Sequence, residues 1–203
     1  WGGQSAHTPF AGEAMSRVLV ALAYGAAVDR GLLALDDPAA RHLDEWRDDP
    51  RGAITLRQLL QDVSGLAETD GPPVVPGPDA GLGTRLAALP RLWADRNLRL
   101  ALGNDFAANA LAFPLRHQPG THFAFSAVNP QLLGVILERA SGEPLVRWLQ
   151  REVWAPLGAE RAELRLDRVS GMPATFCCLR ATPRDWLRIG ALLADDGAFG
   201  GRQ

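Results

Sequence analysis

The chain punctuates itself as a succession of helices, and that punctuation limits its fold more than any other feature. Between residues 12 and 30, apolar side chains recur at Met15, Val18, Leu19, Leu22 and Ala26 and close at Gly31, the pattern of a helix with a glycine stop. Thr55 with Gln58 three residues on is a capping box, each side chain satisfying a backbone N–H of the first turn. It predicts a helix through about Val63 that Gly65 ends. Asn129-Pro130 reads as cap and first residue of a helix to about Ala140, before Ser141-Gly142. From Pro144 to about Trp154, Leu145, Trp148, Leu149 and Val153 share one face. Thr182, Pro183 and Asp185 give the cap, first and third positions of a last helix, which ends near Asp195 before Gly197. Residues 84 to 112 are expected to be helical, with a break at Pro90 and a turn near Gly103-Asn104. Strand signals are sparse: the best are the alternating Ala162-Glu163-Leu164-Arg165-Leu166 and Ala174-Thr175-Phe176-Cys177. Gly71 to Pro78 is a loop, because Pro72-Pro73 and Pro76-Gly77-Pro78 cannot carry a hydrogen-bond ladder.

Composition excludes several function classes. Hydrophobic residues make up 47% and charged residues 22%, with a formal net charge of −2, so there is material for a core and no basic excess for nucleic acid. A soluble protein is expected. No run of about 18 apolar residues offers a membrane span. Trp1-Gly2-Gly3-Gln4 has neither an initiator methionine nor a signal-peptide pattern, so any leader has been removed or lies outside this numbering, and the compartment stays open. Cys177 and Cys178 are adjacent and have no second pair to share a metal with. They are expected to be small buried apolar residues, a redox pair or ligand site being the other reading.

Five segments, in order, carry a family likeness. Ala14-Met15-Ser16-Arg17 opens the first helix, which leads to Asp29-Arg30-Gly31-Leu32-Leu33-Ala34-Leu35-Asp36-Asp37-Pro38. Ile54 to Leu60 leads to Val63-Ser64-Gly65-Leu66, and Pro119-Gly120-Thr121-His122-Phe123-Ala124-Phe125-Ser126-Ala127 leads to Gln131-Leu132-Leu133-Gly134. Phe176-Cys177-Cys178-Leu179-Arg180-Ala181-Thr182-Pro183-Arg184-Asp185-Trp186 is followed by Asp196-Gly197 and Gly201-Arg202-Gln203. Together they resemble the serine β-lactamase-like hydrolases: class C β-lactamases, related esterases and 6-aminohexanoate-dimer-hydrolase-like proteins. In those proteins the segments read S-x-x-K then DxGLLxLDDPV, ITIRHLLTMTSGL, PGTxFxYSN, and FCCLxATARDWARLG…DGxxxGRQ.

The resemblance implies an α+β, β-lactamase/penicillin-binding-protein-like fold as a single domain over residues 1–203. It also implies that most of the antiparallel sheet, including the late strand that helps form the oxyanion hole, lies outside this sequence. The chain is then predominantly the helical part, and an apolar helical face left uncovered is expected to repack, self-associate or meet a partner protein.

At the catalytic positions the likeness fails. The family's nucleophilic serine falls on Ala14, its lysine on Arg17, its tyrosine on Phe125 and the asparagine of its Y-x-N on Ala127. Acyl transfer needs a nucleophile beside a base, and lysine serves because burial and neighbouring charges can bring its pKa toward neutrality. Arginine stays protonated, so Arg17 can hold an anion but cannot accept a proton. All 21 basic residues are arginine, so a compositional drift explains Arg17 but not Ala14 or Phe125. The reading is a pseudohydrolase that binds a partner protein or a small acyl, amide or carboxylate ligand through Arg17, Phe125 and Ser126, with no cofactor and no metal. The alternatives are an active esterase, amidase or β-lactamase-type hydrolase using Ser16 or Ser126, and a structural subunit.

The remaining reactive side chains have plainer readings. Ser16, about 200° round the helix from Ala14, is expected on the helix surface. Ser64 is a helix-end hydrogen-bonder. His117 and His122 are solvated loop residues without a third ligand. Asp185 is a helix N-terminal carboxylate. Tyr24, the only tyrosine, packs on roughly the face of Arg17, a displaced phenol being the other reading.

Overall fold

A computed structural model describes residues 5–66 and 76–200, with only the backbone of 89–94. The expected loop therefore enters view only from Pro76, and Gly71–Val75 and Gly201–Gln203 lie outside the described residues. The order is β1 (Phe10–Ala11), α1 (Ser16–Asp29), α2 (Leu56–Leu60), α3 (Leu82–Ala94), α4 (Arg96–Leu102), α5 (Phe106–Leu111), α6 (Val128–Ser141), α7 (Leu145–Leu149), β2 (Ala162–Glu163), β3 (Arg180–Ala181) and α8 (Pro183–Ala194). Gln150–Trp154 prolongs α7 as a π-helical turn, and short 3₁₀ turns fill Glu13–Met15 and Ala39–Ala53.

The core is built on α6, buried from Val128 to Leu137, with α1, α2, α5 and α7 packed round it. Helix α1 faces it with Leu19, Val20, Ala23, Tyr24 and Ala27; of the expected stripe Leu19 is buried and Val18 and Leu22 pack at its edge, while Met15 is 54% exposed. The Tyr24 hydroxyl donates to the Leu133 carbonyl at 2.9 Å, which fixes that face. Burial pushes the Tyr24 phenol well above its ordinary pKa, so it is a packing group and no base near neutrality. The expected face of Leu145, Trp148, Leu149 and Val153 is buried as a unit.

Several boundaries move for local reasons. Both bonds of the Thr55–Gln58 capping box form, but α2 stops at Leu60 because Asp62 takes a left-handed φ of +57°. Helix α3 runs through position 90, and the break falls at Asp95, whose side chain accepts from Leu98 N and starts α4. Asn129 is no cap: α6 already begins at Val128, where Ser126 Oγ accepts from Val128 N at 3.2 Å. Gly142 ends α6 in the left-handed region, as a helix stop requires. Thr182 and Asp185 cap α8 as expected, the Asp185 carboxylate also accepting from Glu160 N and Arg188.

The sheet is three short antiparallel strands in the order β1-β3-β2, pairing Phe10 and Ala162 with Ala181, and Ala11 and Glu163 with Arg180. Strand β2 covers only the first two residues of the expected run. Ala174–Cys177 forms no strand: Ala174 N donates to the Arg165 carbonyl at 2.8 Å, but Thr175 then turns its polar groups to α6. Gln131 Oε1 accepts from Thr175 N and its Nε2 donates to the Pro173 carbonyl, each at 3.2 Å, while Thr175 Oγ1 donates to the Pro130 carbonyl at 2.7 Å. Gly134 permits this approach, since a Cβ there would stand 2.8 Å from Thr175 Cγ2. Cys177 and Cys178 are half-buried and disulfide-bonded to each other, contrary to the expectation of two apolar thiols.

Candidate functional site

Three stretches meet at the start of α1. The turn Glu13–Met15 presents Ala14 at the surface, and Arg17 follows one turn on from the same helical entry. The loop after α2 contributes Asp62. The extended stretch before α6 contributes Phe125, positioned where Ala124 N donates to the Asp62 carbonyl at 2.8 Å.

Arg17 is the hub. Its Nη2 donates to Asp62 Oδ2 at 2.5 Å, in a pair whose side chains are 16% and 10% exposed. Its Cζ lies 4.2 Å from the centroid of the Phe125 ring, a cation–π distance. Phe125 is otherwise 62% exposed, so the ring covers the guanidinium on one side and meets solvent on the other. The second oxygen of Asp62 accepts from Asn129 Nδ2 at 2.8 Å, and Asn129 Oδ1 accepts from Ser64 Oγ at 2.7 Å. Arg17, Asp62, Asn129 and Ser64 thus form one polar chain from the α1 entry to the base of α6. Among the described residues, only Arg17 Nη1 in that chain is a buried nitrogen without a hydrogen-bond partner.

The other expected residues go elsewhere. Ser126 is buried with its oxygen on Val128 N, and Ala127 is the half-buried N-cap of α6. Ser16 is not a surface residue: it is buried, donating to the Glu13 carbonyl at 2.8 Å and accepting from Leu179 N at 3.0 Å. His117 and His122 stack with centroids 4.3 Å apart. No group of three or more His, Cys, Asp or Glu among the described residues could hold a metal. No helix there is long and apolar enough to cross a membrane.

Asp62 and Asn129 are the site residues that sequence reasoning missed. Asp62 had a signal: it is a carboxylate standing where the motif ITIRHLLTMTSGL has methionine. Beside an arginine in place of lysine, that is a candidate compensating charge. Asn129 had none, since Asn-Pro at a helix start already has a sufficient explanation as a cap.

The arrangement holds a buried charge pair beside an alanine and beneath an aromatic ring. Position 14 carries a methyl group, the adjacent cation cannot act as a base, and position 125 has no hydroxyl.

Residues 2–198 match the family model described as Beta-lactamase. The chain is 33% identical to esterase EstB of Burkholderia gladioli over 153 residues, covering 71% of this chain and 35% of EstB. It is 29% identical over 233 residues to the uncharacterized protein MT1414 of Mycobacterium tuberculosis (strain CDC 1551 / Oshkosh), covering 92% of this chain and 54% of that one. The penicillin binding protein from Bacillus halodurans superposes with a TM-score of 0.68 at 17% identity, over 95% of this chain and 62% of its own, a likeness of fold. The chain thus spans about a quarter to a half of the curated relatives it matches. With five motifs in order, a helix-rich body carrying a small antiparallel sheet, and a family model matched almost end to end, the chain belongs to the β-lactamase family.

Proposed function

We propose that this chain is a β-lactamase-like pseudohydrolase, a binding protein whose site retains its shape without its reacting atoms. The observation that carries this reading is the closure of Arg17 on Asp62 beneath Phe125, one helical turn from an alanine. In a working site the cation at that place must be able to lose a proton. Here it is an arginine, and a carboxylate already holds it. A small acyl, amide or carboxylate ligand would meet the exposed face of the Phe125 ring over the Arg17 cation, with Ser126 supporting the site through the start of α6. Ser16 and Ser126 favour no alternative nucleophile: both side chains are buried and hydrogen-bonded to backbone. A fluorophosphonate probe, or a penicillin, is expected to leave the intact mass of the protein unchanged. Stoichiometric labelling would overturn the reading, and peptide mapping would then say which serine reacts.

A second reading, the structural subunit, rests on the outer face of α1. Ala21 and Gly25 are exposed there and border a groove of about 560 Å³ with Leu22, Ala26, Leu157, Leu192 and Phe199. Apolar surface of this kind supports association with another polypeptide. Light scattering on the 203-residue chain is expected to give more than its 21.8 kDa monomer mass. A monomer at every concentration would count against self-association and leave the pseudohydrolase reading untouched.

A further inference from the structure

We infer that Cys177–Cys178 is a thiol-exchange site, open to a dithiol reductant, whose redox state sets the backbone that holds the entry of α1. The bond joins adjacent residues with Cα atoms 3.7 Å apart, so it fastens no two elements together. A disulfide that closes a long loop stabilises chiefly by restricting the unfolded chain, and this one closes almost none. What the ring constrains is local. Cys178 sits at φ +76°, a left-handed conformation that side-chain-bearing residues adopt only when something holds them there.

The residues on either side give that conformation a reach. Phe176 is anchored, buried and edge-on to Phe106 with centroids 5.8 Å apart. On the other side, Leu179 N donates to Ser16 Oγ at 3.0 Å, and its carbonyl accepts from Gly12 N at 2.8 Å. Arg180–Ala181 then forms β3, the central strand. Because Phe176 and β3 are both fixed, the angles at Cys178 determine where the two polar groups of Leu179 point. They point at the turn carrying Ala14 and at the residue before Arg17. Both cysteines are half-buried, within reach of a small thiol.

The step balances as ordinary exchange. A thiolate of the reductant attacks one cysteine sulfur, the S–S bond breaks, and the other cysteine leaves as a thiolate that takes a proton from solvent. The reductant's second thiol then attacks the mixed disulfide and releases the first cysteine. Two electrons pass to the protein, which gains two hydrogens, and the dithiol becomes its own disulfide. With the ring open, Cys178 can return to negative φ, and Leu179 loses its alignment on Gly12 and Ser16.

The test is hydrogen exchange before and after treatment with dithiothreitol, with intact mass to confirm a gain of about 2 Da. Reduction is expected to speed exchange about tenfold or more at amides of residues 12–18 and 179–181 while α6 stays protected. A confirmed gain in mass with an unchanged pattern at 12–18 would overturn the inference. So would uptake of two iodoacetamide groups without any reductant, since the cysteines would then be free thiols. The double variant Cys177→Ser/Cys178→Ser is expected to copy the reduced pattern without reductant. Should it fail to fold, the comparison within the wild-type protein decides alone. Neither outcome depends on whether the Arg17 site is catalytic.

Discussion

Replacing Asp62 with alanine is expected to lower the unfolding free energy by about 3–5 kcal/mol, because it strands a largely buried guanidinium. For a chain of this length each kcal/mol moves the midpoint by about 2–4 °C, so thermal unfolding followed by circular dichroism should show a fall of roughly 6–20 °C. The loss exceeds what the ion pair itself contributes. A guanidinium does not shed its charge to relieve burial, and Nη1 is already buried without a partner, so no second acceptor stands ready. Asn129 Nδ2 loses its acceptor at the same time. The double variant Arg17→Met/Asp62→Asn is expected to recover to within about 1–2 kcal/mol of the parent, since an apolar chain replaces the cation. Asparagine also tolerates the left-handed φ at 62 and leaves an oxygen for Asn129. A loss below about 1 kcal/mol for Asp62→Ala would class the pair with screened surface ion pairs, and the site would then be open to water.

The sequence made the helices legible wherever their ends carry side-chain chemistry. Thr55 with Gln58, and Thr182 with Asp185, form the caps their spacing requires, because a cap is a contact within four residues and needs no tertiary partner. Asn129 has the right letters for the same role and does something else. Its side chain reaches Ser64 and Asp62, about 65 residues earlier, and a partner at that separation leaves no local trace. The stretch Ala174–Cys177 misleads for the same reason. Its β-branched and aromatic residues fit a strand, but after Ala174, whose N–H reaches the Arg165 carbonyl, Thr175 N donates to Gln131 of α6 and no ladder continues. The buried face of α1 was misread at one end. Met15 belongs to the turn before the helix, so extending the helical period back to it pointed the stripe at solvent.

At the site, the replaced atoms were legible in the motifs and the replacing interactions were not. Ala14, Arg17 and Phe125 can be read from the sequence as missing a hydroxyl, a removable proton and a phenol. That Arg17 is held by Asp62, and covered by Phe125 at 4.2 Å, depends on a loop and an extended stretch converging from 45 and 108 positions away. Cys177 and Cys178 show the same limit. Adjacency led to a reading of two buried apolar side chains, with a redox pair as the alternative, whereas the two are bonded to each other.

Putting back the family's reacting atoms is expected to fail for a reason only the structure supplies. Ala14→Ser alone should match the parent in acylation by p-nitrophenyl acetate, since Arg17 cannot accept the serine's proton. The triple variant Ala14→Ser/Arg17→Lys/Phe125→Tyr restores nucleophile, amine and phenol, yet its lysine would lie beside Asp62. An opposite charge within about 4–6 Å favours the ammonium form by roughly 1–3 pKa units, which cuts the fraction of free amine by about 10–10³-fold. A base needs its pKa near the working pH, so the carboxylate that steadies Arg17 would disable Lys at the same place. Adding Asp62→Asn removes the charge and keeps the hydrogen bond to Asn129. The quadruple variant is therefore expected to acylate about 10–10³ times faster than the triple. Equal rates for the triple and quadruple variants would show that Asp62 does not control the protonation of position 17. Acylation of Ala14→Ser alone would show that a base other than residue 17 serves the site.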